Sequence, residues 1–98
     1  MRVHWTDTAL GHLSAIHDYI AQDSHTYARG VVDRLTARSQ QISEFPHSGR
    51  RVPEYEAEDV REVIEEAYRI IYRVNAERVE VLAVIHDAQQ LPPGLTNG

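Results

Sequence analysis

The sequence predicts an α+β fold: an N-terminal strand, an α-helical hairpin and three further strands, with the hairpin packed on one face of a small, mainly antiparallel sheet. Three observations carry this. Apolar residues recur at helical spacing through the first half of the 98-residue chain. The segment VREVIEEAYRIIYRVNAERVEVLAVIH, ending on His86, holds three runs rich in Val, Ile and Tyr with only a few polar residues between them. The helices carry apolar stripes and the sheet an apolar face, and each buries the other.

The elements follow in order. Residues 1–5 alternate, with Val3 and Trp5 on one side and Arg2 and His4 on the other, as a short strand does. Thr6 is an N-cap for a helix from residue 7 to about 22, whose apolar positions are Ala9, Leu10, Leu13, Ile16 and Ile20. Asp23 and Ser24 break the pattern and cap a second helix from about 25 to 44, carried by Ala28, Val31, Val32, Leu35 and Ile42. Gly30 inside it implies a close helix–helix contact. Pro46 follows Phe45 and ends the helix.

The stretch PHSGRRVPEYEAED shows no period and reads as a loop of about a dozen residues, a length that is often functional. Strands follow at 60–65, 68–74 and 79–86. In the second, Tyr68, Ile70, Tyr72 and Val74 face the core, and Arg69, Ile71 and Arg73 face an open surface. The third divides into Val79, Val81, Ala83 and Ile85 against Glu80, Leu82, Val84 and His86. Being apolar on both sides, it belongs inside the sheet. Pro92 and Pro93 stop any further ladder, and LTNG reads as a tail.

Composition narrows the function. Net charge is −5, which opposes generic nucleic-acid binding through phosphate neutralisation. All 10 basic residues are arginine, each a planar fork suited to bidentate pairing. The chain has no cysteine, hence no disulfide or thiolate metal site. No apolar run has transmembrane length, and the reading is a cytoplasmic protein with no membrane contact. His4, His12, His17, His25 and His47 lack i, i+4 pairing, and no HExxH is present, so neither metal nor other cofactor is expected.

The order of elements resembles the RelE/ParE superfamily of bacterial toxins from type II toxin–antitoxin (plasmid stabilisation) systems. The matching segments are TALGHLSAIHDYIAQDS, FPHSGRRVPEY, REVIEEAYRIIYRV and VEVLAVIHDAQQLP, spanning nearly the whole chain. The combination P-x-x-G-R-x-V-P, Y-R-I-x-Y and V-x-V-L-x-V-x-H is the specific part. The resemblance implies one RelE/ParE-like toxin domain over residues 1–98 and a tight complex with a cognate antitoxin. Its ParE-like branch is associated with poisoning DNA gyrase, and its RelE-like branch with cutting mRNA on the ribosome.

The acidic charge and the wording SGRRVPEY and YRIIYRV favour ParE-like inhibition of gyrase by binding. DNA would then be met only indirectly, through antitoxin or gyrase. The competing enzyme reading is a ribosome-dependent mRNA endonuclease, with Arg69 holding the phosphate and His86 moving a proton. A third reading is an inactive toxin that only binds its antitoxin. Where ParE-like chains often continue Gly-Ala-Arg after the histidine, Asp87-Ala88-Gln89 stands here.

The candidate antitoxin- or target-binding residues are Arg50, Arg51, Arg61, Arg69, Arg73, Tyr19 and Tyr27. Each also has a plainer role. Arg69 and Arg73 could bridge to Glu62 or Glu80 on neighbouring strands, and Arg50 and Arg51 could pair with Glu54, Glu56, Glu58 or Asp59. His86 could be a strand-end histidine with one hydrogen bond.

Overall fold

The computed structural model describes residues 1–89. Its elements are β1 (Arg2–Trp5), α1 (Asp7–Ala21), α2 (His25–Ile42), β2 (Arg50–Arg51), β3 (Val60–Glu65), β4 (Tyr68–Val74) and β5 (Arg78–His86). The predicted tail and its prolines lie outside the described residues. Both predicted caps form: the Thr6 hydroxyl accepts from the Ala9 amide at 3.2 Å and the Ser24 hydroxyl from the Tyr27 amide at 3.1 Å.

The sheet has five strands in the order β1-β5-β4-β3-β2. Its pairs are antiparallel except β1 with β5, which run parallel with Arg2 opposite Arg78 and Trp5 opposite Val81. Strand β5 is interior, as its two apolar faces require. Strand β2 is an addition to the expected topology. Two residues of the predicted loop, Arg50 and Arg51, lie extended against Glu62 and Arg61; two residues are too few to show a period.

The helical hairpin covers one face. Ala9, Val31, Leu35 and Ile42 pack on Val63, Ile70, Tyr72, Val74, Val79, Val81 and Val84, with Val3, Trp5, Leu13, Ile16 and Ile20 at the margin. The core-facing stripe of α1 is Ala9, which is buried, with Leu13, Ile16 and Ile20 partly buried, spaced i, i+4, i+7, i+11. Leu10 is turned roughly 100° away from Ala9 and is exposed, not core. Gly30 is not at a helix crossing either. A Cβ there would meet only the end of the Arg34 side chain, at 3.2 Å.

The opposite face is covered rather than open. Val52 from the loop, with Tyr55 and Ala57 beside it, closes over Val60, Ile71, Leu82, Ala83 and Ile85 as a second apolar cluster. Those three loop residues are unevenly spaced, so no period announces them.

A β-bulge decides which side chains belong to which face. Ile71 is opposite Ala83 but Tyr72 is opposite Val81, so Leu82 has no partner on β4. The extra residue shifts the alternation. Val79, Val81 and Val84 join the helix-side core, and Leu82, Ala83 and Ile85 join the other. The simple alternation expected along β5 therefore fails after Val81.

Two contacts finish structures that the strands leave incomplete. Beyond Val81, β5 outruns β1, and α1 serves its edge: the Thr6 hydroxyl donates to the Val81 carbonyl at 3.0 Å and His12 Nδ1 accepts from the Val84 amide at 3.2 Å. The Tyr72 hydroxyl, wholly buried, donates to the Pro46 carbonyl at 2.8 Å and accepts from the Gly49 amide at 3.1 Å. Burial pushes that phenol's pKa up, which keeps the donated proton in place.

Two outcomes are expected. A Cβ at Gly49 would stand 2.3 Å from the Tyr72 hydroxyl and 2.7 Å from the Glu62 carbonyl. Gly49→Ala should cost about 1–3 kcal/mol as an overpacked site, read by urea denaturation. Burial lowers the His12 pKa below its ordinary 6.5. The unfolded chain then binds the proton more readily than the folded one, so this stability is complete above 6.5 and declines as pH falls below it. Thermal melting between pH 7.5 and 5.5 should show a smaller acid loss for His12→Leu than for the wild type.

Candidate functional site

The candidate site forms where the second sheet face meets the loop. Strand alternation puts Arg69 of β4 on that face, diagonally across from Glu62 of β3, since Glu62 pairs directly with Ile71. The Arg69 Nε donates to Glu62 Oε1 at 2.5 Å. Its outer fork, Nη1 and Nη2, donates to both oxygens of Glu54 at 2.8 Å each, and Nη1 also reaches the Gln89 carbonyl at 3.2 Å. The second Glu62 oxygen accepts from Arg50 Nε at 2.9 Å. The Glu62 side chain is 0% exposed, Arg69 6% and Glu54 19%. The hydrogen bonds Arg69 donates to Glu54, together with that to Glu62, outweigh desolvation and raise the guanidinium pKa further above its ordinary range. Two carboxylates thus hold one guanidinium by its two edges, and a cleft of about 520 Å³ lies in front of it. The cleft is lined by Arg50, Pro53, Glu54, Arg69, Asp87 and Gln89 among others.

The other arginines do not converge there as a row. Arg73 lies four residues along β4, about 13 Å away at strand rise, and pairs with Asp59 at 3.4 Å. Arg51 pairs with Glu58 at 3.3 Å. Arg61 points to the helix side and donates to the Glu58 carbonyl at 3.1 Å and the Gly49 carbonyl at 3.3 Å. Arg50 joins Arg69, through Glu62 and through the shared cleft.

The bulge separates His86 from Arg69. His86 is opposite Tyr68 on the helix side of the sheet and meets it edge-on, ring centroids 5.9 Å apart. Arg69 is opposite Ile85 on the other side. The His86 ring lies beside Asp87, with Nδ1 at 3.3 Å from Oδ1, and the same nitrogen accepts from the Ala88 amide at 3.2 Å. A phosphate held by Arg69 and a proton moved by His86 would be on opposite faces.

Tyr19 and Tyr27 stand at that helix-side end, 68% and 55% exposed. Burial first, then the charges of Tyr27, Glu66 and Tyr19, raise the Tyr68 phenol pKa, so these groups share one neighbourhood. Arg34 lies 6.0 Å from the Tyr27 ring centroid and pairs with Glu66, the turn residue between β3 and β4 that adopts φ 56°. The result is an exposed aromatic end flanked by an ion pair. Among the described residues no group of three or more His, Cys, Asp or Glu side chains is placed to hold a metal, and no helix is long and apolar enough to cross a membrane.

Sequence reasoning missed the role of Glu54, which appears there only within an acidic run, and of Tyr72 as the loop's anchor. The detectable signal for Glu62 was its place between Val60 and Ile64 on one side of a strand, an acidic residue at an inward position.

A family model described as the ParE toxin of the type II toxin–antitoxin system parDE matches residues 3–91. The putative toxin Y4kP of Sinorhizobium fredii is 36% identical over 95 residues, covering 93% of this chain and 93% of that protein. The toxin RelE2 of Caulobacter vibrioides is 34% identical over 89 residues, covering 90% and 97%. A solved chain from the chromosomal ParDE system of P. aeruginosa has a similar fold, with TM-score 0.74 at 22% identity over 88% of this chain and 95% of that one.

Removing the Arg69 side chain leaves the Glu62 carboxylate buried with Arg50 as its remaining cation. Arg69→Ala should therefore cost about 3–5 kcal/mol, and adding Glu62→Gln should recover part of the loss. Denaturation midpoints of the single and double variants check this.

Proposed function

Because the chain belongs to the ParE toxin family of type II toxin–antitoxin systems, we propose that it is a toxin silenced by a cognate antitoxin and that it acts by binding DNA gyrase, not by cutting RNA. The observation that carries the binding reading is the separation of Arg69 and His86 onto opposite faces of the sheet. RNA cleavage needs a cation on the phosphate and acid–base groups within about 2.6–3.2 Å of the protons they move. Here the outer fork of Arg69 is taken by Glu54, and His86 lies across the sheet. The net charge of −5 adds a long-range penalty to entering a ribosomal, anionic site.

We infer that the antitoxin contacts the aromatic end. Tyr19 and Tyr27 are large and exposed, and tyrosine is enriched among interface anchors. The solved neighbour comes from a system named ParDE, and by analogy the partner here is an antitoxin encoded with the toxin.

Two measurements test this. Purified toxin should inhibit gyrase supercoiling and leave ribosome-bound mRNA intact. Cleavage of that mRNA without an effect on supercoiling would replace the gyrase reading with the ribonuclease one, and neither effect would leave an antitoxin-binding protein without a poison activity. Tyr27→Ala should weaken the antitoxin complex about tenfold, equivalent to roughly 1.4 kcal/mol, measured by calorimetric titration; an unchanged affinity would move the contact elsewhere.

A further inference from the structure

The two carboxylates on Arg69 are not equivalent. Glu62 comes from a strand, is wholly buried, and holds Nε from behind. Glu54 comes from the stretch between β2 and β3, is partly exposed, and covers the fork that faces the cleft. Glu54 touches the fork as a bound carboxylate would, with one oxygen on each terminal nitrogen at 2.8 Å. If Glu54 swung aside, Glu62 would still fix the guanidinium through Nε, and Arg50 would remain at the cleft as a second cation.

We propose that the outer fork of Arg69 is a carboxylate-binding site that Glu54 occupies from within the chain, and that an acidic side chain presented to the cleft takes Glu54's place. The bidentate geometry selects a planar carboxylate. Arg69 is held in its binding orientation by a separate partner, so the site is preorganised rather than assembled on binding. Being tethered, Glu54 acts at a high effective concentration and excludes weak free anions. A ligand delivered by other contacts can match it. The site stands apart from the identity of the poisoned target, and its test requires neither gyrase nor ribosomes.

The test uses the full chain labelled with ¹⁵N. The Arg69 Nε–H, shielded behind Glu62, is followed by NMR during titration with sodium acetate, against sodium chloride at matched ionic strength. Wild type should show no saturable response. Glu54→Ala should show saturable binding, half-complete at roughly tens of millimolar acetate, together with a rise in melting temperature that chloride does not reproduce. Glu54→Ala combined with Arg69→Lys, followed by melting temperature because the Arg69 signal is gone, should lose the acetate-specific rise, because an ammonium offers no fork. If Glu54→Ala does not fold, Glu54→Gln removes the charge while keeping the volume, and should still bind acetate more tightly than wild type. A folded Glu54 variant whose Arg69 signal ignores acetate, or follows chloride equally, overturns the proposal. Tighter binding of inorganic phosphate than of acetate overturns the carboxylate assignment.

Discussion

A guanidinium buried between two carboxylates fixes the half of this molecule that the helices do not touch. Arg69 joins β4 to β3 through Glu62, to the preceding loop through Glu54, and to the turn after β5 through the Gln89 carbonyl. Arg50 brings β2 to the same Glu62. Such a network is a poor source of net stability, since desolvating each ion costs several kcal/mol and the Coulomb gain only repays it when the geometry is good. Its effect is on arrangement. An unpaired charge on this face is expensive, so the ion pairs favour the loop placement in which Val52 joins the cluster of Ile71 and Leu82. Tyr72 acts from the other side of the sheet, where its hydroxyl pins the chain at Pro46 and Gly49.

The regular parts of this fold were legible because their signals are local. Thr6 and Ser24 mark helix starts by one side-chain hydrogen bond each. The strand ranges β3 and β4 follow from apolar runs bounded by polar turns. The failures have equally physical causes. Along β5 every residue from Val81 to Ile85 is apolar, so a bulge at Leu82 changes no letter pattern, yet it moves Val84 and His86 to the other face. The covering of the second face rests on Val52, Tyr55 and Ala57, which share no period because they sit on irregular backbone.

The candidate site was legible in its cation and not in its state. Alternation placed Arg69 opposite the helix side, and Glu62 could be named as a neighbour. That the arginine is enclosed depends on Glu54, whose approach is set by the path of a loop rather than by spacing in the sequence. His86 entered as an acid–base candidate from its position at a strand end; the bulge then decided its face. The family was visible in motif wording, and the structure gives that wording a cause. The glycine of P-x-x-G-R is Gly49, where any Cβ would collide with Tyr72 and with the Glu62 carbonyl, and the last tyrosine of Y-R-I-x-Y is Tyr72 itself.

The parallel pairing of β1 with β5 has a temporal meaning. Strand β1 waits for β5, made more than 70 residues later, since Arg2 finds its register against Arg78 and Trp5 against Val81. Contacts so distant in sequence carry a large loop-closure cost and slow folding. The helical hairpin can form early from local contacts, but its apolar stripe has no finished sheet to cover until β5 is made. A nascent or truncated chain therefore exposes the stripe of Leu13, Ile16 and Ile20 without the sheet they pack against. Any function that needs the finished fold therefore waits until β5 has been made.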